Sequence, residues 1–253
     1  MGHSKNLDGT ALWKEYKKKA DAGSERCIWV KKVYEYATNY LKDVRRNFGN
    51  YTLHDETHIL NVLYAMGGLL GDQISNLTVG ELELLILVAS LHDVGMVYTD
   101  EEQKAQYEDT EACKRFLREH YPEFMGSAAE EWTEDMRQWY LRSLHSERVA
   151  EVLHNEAWKE LISQRPRDVV PLQCIVSVCE AHGYNPSDMD GNHDLDYLNA
   201  NDVSPLFCAL LLRLGDLLDF DDTRAPKVLY SYVRDNEKSI EEWKKHQDSI
   251  GFV

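Results

Sequence analysis

The sequence has no apolar run that reaches the roughly 18 residues a membrane-spanning helix needs, and its N-terminus carries no apolar signal region. Basic residues are the scarcer charge: 28 Lys and Arg stand against 44 Asp and Glu, a net charge of −16. Such a surface repels phosphate backbones, which disfavours a non-specific nucleic-acid binder. The five cysteines, at 27, 113, 174, 179 and 208, form no C-x-x-C pair. Cys174 and Cys179 are not at zinc-ligand spacing. An odd, scattered set in apolar stretches reads as reduced, buried thiols in a cytoplasmic protein. No stretch sustains period-two alternation, no segment repeats, and none is of low complexity. Only the final "SIGFV" hints at a strand, and its abrupt apolar end predicts a natural protein that continues beyond Val253.

What is present is helical periodicity over 253 residues, 43% of them hydrophobic, enough for a sizeable core. Residues 7–20 are polar with a weak periodicity. Ile28, Trp29, Val33, Tyr36, Ala37, Tyr40, Leu41 and Val44 recur at helical spacing between Cys27 and Phe48, where Gly49 and Asn50 close the segment. A helix starting at Thr52 or Asp55 carries His58, Ile59, Val62, Leu63 and Met66 and is expected to end at Gly67-Gly68. Residues 79–92, "VGELELLILVASLH", are apolar on almost every face, the mark of a central buried helix. Amphipathic helices follow at about 103–120 and 133–154, then an apolar one over 168–182. An Asp- and Asn-rich loop over 183–204 leads to a second strongly apolar helix opened by Ser204-Pro205. The fold class is therefore all-α, a single helical bundle.

Several polar residues fall where burial is costly. His92-Asp93 ends the most apolar helix, and Asp216 sits inside "LLLRLGDLLDF". A desolvated carboxylate there needs a cation, a metal or several hydrogen bonds. Arg213, on the same helical face, can pair with it; alternatively Asp216 and His92-Asp93 meet at one metal, which explains both anomalies together. His58, His145 and His182 also sit on or beside apolar helical stripes. Each alone reads more readily as a hydrogen-bonded core histidine than as a ligand; jointly they suggest ligands.

The order His58, His92-Asp93, His145, His182, Asp216 on an all-α chain resembles the HD superfamily of metal-dependent phosphohydrolases. "ASLHDVGM" and "LLRLGDLLDFDDTR" are its most specific parts, and the resemblance spans about residues 50–225. It implies that His58, His92, Asp93 and Asp216 are primary metal ligands. His145 and His182 would bind a second ion bridged by Asp93, as in the dinuclear branch. It further divides the chain into N-terminal helices over 1–48 packed on the core, an HD domain over 49–230, and a C-terminal extension over 231–253. "TLHDETHILNV" and "WKKHQDSIGF" are similar to bacterial HD modules that precede an Hsp90-like ATPase domain, which implies such a domain, or a homo-oligomer, as partner.

The expected activity is hydrolysis of a phosphoester, a nucleotide or cyclic nucleotide, by a metal-activated water. Mixed His and carboxylate ligands suit Mn, Fe, Co, Ni or Zn, with Mg as a further candidate. His54 lies four residues before His58, on the same helical face. Class I cyclic-nucleotide phosphodiesterases, also of HD type, have a similar pair whose first member is the acid; the equal alternative is a surface histidine beside Asp55. With Asp93, His54 completes the expected catalytic pair. Phosphate contacts need cations, and Arg142 and Arg148 flank His145 as Arg213 and Arg224 flank Asp216, though each reads more readily as a solvated helix face.

"HDETH" lacks the Glu that a zincin helix requires after its first His. "DMDGNHDLD" lacks the sixth-position Gly of an EF-hand. An HD-type nuclease and a non-catalytic regulatory module remain the alternatives.

Overall fold

The computed structural model describes residues 5–48, 55–108, 110–189, 191–196 and 202–219. Its helices are α1 (Ala11–Ala20), α2 (Glu25–Tyr40), α3 (Val44–Asn47), α4 (Glu56–Leu70), α5 (Val79–Leu91), α6 (Asp100–Gln106), α7 (Glu111–His120), α8 (Glu134–Ser143), α9 (Val149–His154), α10 (Glu156–Ser163), α11 (Leu172–Ala181), α12 (Pro186–Met189), α13 (His193–Asp196) and α14 (Pro205–Leu217). The fold is all-α, with no strand among the described residues; the strand suggested at "SIGFV" lies outside them.

Helix α5 is the axis of the bundle. Thr78 and Glu81 start it with a capping box, Thr78 Oγ1 accepting from Glu81 N at 3.1 Å and Glu81 Oε2 accepting from Thr78 N at 2.9 Å. Leu82, Leu84, Leu85, Ile86, Leu87, Val88 and Leu91 are all fully buried, and each contributes about 1.5–3 kcal/mol by leaving water. Helices α1, α2, α4, α11 and α14 pack around it. No single helix among the described residues is long and apolar enough to cross a membrane.

One polar group lies inside this wall. Glu83 of α5 is fully buried. Its carboxylate accepts from Tyr16 Oη (2.7 Å), Arg26 Nε (2.9 Å) and Val170 N (2.8 Å). The charge is thus partnered, as burial requires, and it ties α1, α2 and the approach to α11 to the central helix.

Where the pattern and the structure differ, the cause is packing. Helix α4 runs through the Gly67-Gly68 pair expected to end it and closes at Gly71, whose φ is +50°. Gly67 instead admits α1, with the Cβ of Ala11 3.6 Å from where a Gly67 Cβ would stand. The expected helix over 103–120 is two helices, with Thr110 capping the second by accepting from Cys113 N at 3.1 Å. The expected helix over 133–154 breaks between Ser143 and Val149. On one side of the break Met136, Tyr140 and Leu144 join an aromatic cluster with Phe116 and Trp132, and on the other Val149, Val152 and Leu153 join the main core. The 183–204 segment, expected as a loop, carries the short helices α12 and α13 in its described part.

Candidate metal centre

The carboxylates and imidazoles that the bundle brings together come from the first turn of α4, the end of α5, the α8–α9 break, the end of α11 and the last turn of α14. Asp55 starts α4 by accepting from Thr57 N at 2.9 Å, the helix-start role expected of it. His58 follows in the next positions and is fully buried. His92 caps the C-terminus of α5, and Asp93 follows at φ −100°, ψ 0°, in the sparsely populated bridge region where many active-site residues sit. His145 lies in the α8–α9 break, and His182 caps α11.

Two clusters share Asp93. In one, His58 Nε2 is 3.0 Å from His92 Nε2 and 3.2 Å from Asp93 Oδ2. Asp216 Oδ1 lies 3.5 Å from His58 Nε2 and 3.9 Å from His92 Nε2. In the other, His145 Nε2 is 3.4 Å from Asp93 Oδ1 and 2.8 Å from His182 Nε2. In each of the triads His58–His92–Asp93 and Asp93–His145–His182, one ligand atom per residue lies within 4.8 Å of the others. All six ligand candidates named from the sequence therefore meet.

The far nitrogens of the four imidazoles are already engaged. His58 Nδ1 donates to Asp219 Oδ2 at 2.6 Å, His92 Nδ1 to Ala89 O at 3.1 Å and His145 Nδ1 to Arg142 O at 2.5 Å; His182 Nδ1 donates to Cys179 O. Carbonyls and carboxylates only accept, so each Nδ1 carries a proton, and in the neutral form of each ring Nε2 presents a lone pair. Lone pairs facing one another at 2.8 and 3.0 Å repel unless a proton or a metal ion stands between them. Metal-binding histidines characteristically have this arrangement, the outer nitrogen held by a carbonyl or carboxylate.

Burial, with His182 beside it, pushes the His145 imidazole down to about 4, and burial together with His92 also lowers His182. Both rings are thus neutral at neutral pH. Burial would raise the Asp216 carboxyl, but its electrostatic attraction to the neighbouring His58 and His92 imidazoles holds it below its ordinary range. Exposure grades across the centre. The side chains of His58 and His92 are 0% and 1% exposed, those of His145 and Asp216 18% and 31%, so the centre opens on the side of the latter pair.

Asp219 was not singled out in the sequence, yet it is buried and gives its other oxygen to Asn61 Nδ2 at 2.8 Å, while Asn61 Oδ1 accepts from Lys5 Nζ at 2.6 Å. Its spacing from Asp216 in "GDLLDF" was the available signal, since residues three apart share a helical face.

The arginines divide. Arg213 turns away from Asp216 and donates to His182 O at 3.0 Å and to Tyr184 O. Arg148 is buried, donating to Gly95 O at 2.5 Å and Val97 O at 3.1 Å. Arg142 is half-buried beside His145. Arg224 and His54 lie outside the described residues. His193-Asp194, the third His-Asp pair, forms part of α13, apart from both clusters.

A family model described as HD-CE matches residues 48–253. No curated protein and no solved structure matches the chain.

Proposed function

The chain belongs to the HD-CE family, and we propose that it is a metal-dependent hydrolase of phosphoester bonds, its substrate a nucleotide or cyclic nucleotide. The observation that carries this reading is the set of four imidazoles with Nδ1 committed to acceptors and Nε2 turned inward around Asp93. In this reading His58, His92, Asp93 and Asp216 hold one divalent ion, and His145, His182 and Asp93 hold a second. Mixed imidazole and carboxylate donors suit Mn, Fe, Co, Ni or Zn. When bound, such an ion supplies Lewis acidity, which acidifies water and neutralises charge building on a phosphoryl group.

The protein's own residues do the rest. Asp93 sets its two oxygens toward the two imidazole pairs, and Asp219 and the backbone carbonyls hold the rings in the ligating tautomer. Substrate approaches from the more open side, past Asp216 and His145. His54 is the proposed proton donor to the leaving oxygen. Arg142 and Arg224 are the proposed cations for the phosphate. Arg148 and Arg213 are less suited to that role because their guanidinium groups already serve backbone carbonyls. The five free cysteines support placing the protein in a reducing cytoplasm, and its resemblance to modules that precede an Hsp90-like ATPase domain makes such a domain the proposed partner.

Metal analysis of the purified chain, wild type against Asp93→Ala, is the first test. The expected result is bound transition metal in the wild type and its loss in the variant, followed by Mn- or Ni-dependent release of phosphate or monophosphate from nucleotides. Equal metal content in both, or none in either, overturns the reading.

A further inference from the structure

We infer that Arg148 is a positioning residue that sets His145 against Asp93, and so governs one half of the centre separately from the other. The inference rests on the proposed metal centre. Arg148 is 4% exposed, and burying a guanidinium is costly unless its donors are used. Here most are not. Nε and Nη2 make no hydrogen bond, and the ion pairs to Glu102 and Glu151 stand at 3.5 and 3.8 Å. Only Nη1 is well bonded, and both its acceptors, Gly95 O and Val97 O, belong to the segment that follows His92-Asp93. For stability alone, an apolar side chain of similar volume would serve as well or better.

The surroundings show what that charge connects. The guanidinium stacks 3.6 Å from the centroid of the Tyr98 ring. Tyr98 Oη donates to Leu141 O at 2.7 Å, and Asn47 holds the Tyr98 backbone at both ends, at 3.0 and 3.1 Å. The 95–98 segment is thereby latched to the 141–148 segment that carries His145. The two touch directly: a Cβ on Gly95 would lie 1.9 Å from His145 O, so only glycine lets the backbones approach. Asp93 is two residues before this latch and His145 three residues before Arg148. Their 3.4 Å approach is what the latch maintains. His58, His92 and Asp216 hang on α4, α5 and α14, to which Arg148 makes none of these contacts.

The test is a Co²⁺ titration of the purified full chain, read by visible absorption, with thermal unfolding in parallel. His145→Ala identifies the class of site that depends on this half. Arg148→Met keeps the volume and removes the charge. We expect it to weaken that class by about 10–100-fold, as loss of outer-shell support typically does, while the class that depends on His58 keeps its affinity. Arg148→Lys keeps the charge but loses the fork and the stacking, and is expected to weaken the same class by about 10-fold; it decides the matter should Arg148→Met fail to fold. Wild-type affinity in both classes overturns the inference, as does an equal weakening of both that follows a fall in melting temperature. A single wild-type class insensitive to His145→Ala overturns it too. A wild type that takes up no cobalt overturns the metal centre itself, and the inference with it.

Discussion

Asp219 shows how much of this centre depends on residues that never touch its interior. Oδ2 accepts from His58 Nδ1 at 2.6 Å and Oδ1 from Asn61 Nδ2 at 2.8 Å, so the carboxylate is fixed at both ends and fixes the ring in turn. Removing it frees the imidazole to rotate and to move its proton, so that Nε2 no longer reliably offers a lone pair. Asp219→Ala is expected to lower metal affinity by about 10–100-fold, measured by competition with a chromophoric chelator. Asp219→Asn keeps an oxygen that can accept from Nδ1 and is expected to lose less. Affinity unchanged in both would show that His58 is oriented by something else. The candidate ligands themselves were legible because each is a polar residue in an apolar context. Asp219 was harder to read, since it sits at the end of its apolar run, where a carboxylate ordinarily reaches water.

At the scale of elements, Glu83 carries the largest single consequence. Its carboxylate joins α5 to Tyr16 of α1, Arg26 of α2 and the backbone of Val170. Glu83→Ala would leave Arg26 with only its 3.6 Å ion pair to Asp168 and two donors unpaired in the core, so a loss of about 3–5 kcal/mol is expected in urea denaturation. Burial raises the Glu83 carboxyl above its ordinary 4.5. The folded state therefore prefers it protonated, more than the unfolded state does. That contribution is complete below about pH 4.5 and is lost as pH rises through the raised folded value. Wild-type stability measured relative to Glu83→Gln should thus fall as pH is raised from about 4 toward neutrality; a difference that is flat or rises would contradict the raised value. Elements were legible where one environment spans the whole segment, as in α5. They were not where the environment changes midway. The stretch "WYLRSLHSERVAEVL" serves two cores, Tyr140 and Leu144 the aromatic one and Leu141, Val149, Val152 and Leu153 the main one, and nothing in its local periodicity announces the second core. Both His145 and Arg148 lie in that stretch.

For the whole molecule, the decisive fact is that the candidate ligands are spread from His58 to Asp216 in sequence and converge only on folding. The unfolded chain has no such site, so metal binding is linked to global stability. A net charge of −16 raises the local concentration of divalent cations and opposes anionic substrates, which leaves the metal and a few arginines to supply local attraction for a phosphate. At an ion concentration about 100 times the dissociation constant, linkage stabilises the fold by about 2.7 kcal/mol. For a chain of this size that corresponds to a rise in melting temperature of about 5–10 °C. Differential scanning fluorimetry with and without Mn²⁺ or Co²⁺, after removal of bound metal by chelation, measures it. Asp93→Ala should abolish the rise, because Asp93 is the one side chain shared by both clusters; His145→Ala should abolish only part of it. A rise of the same size in Asp93→Ala would mean that the stabilising ions bind to the acidic surface and not at the centre.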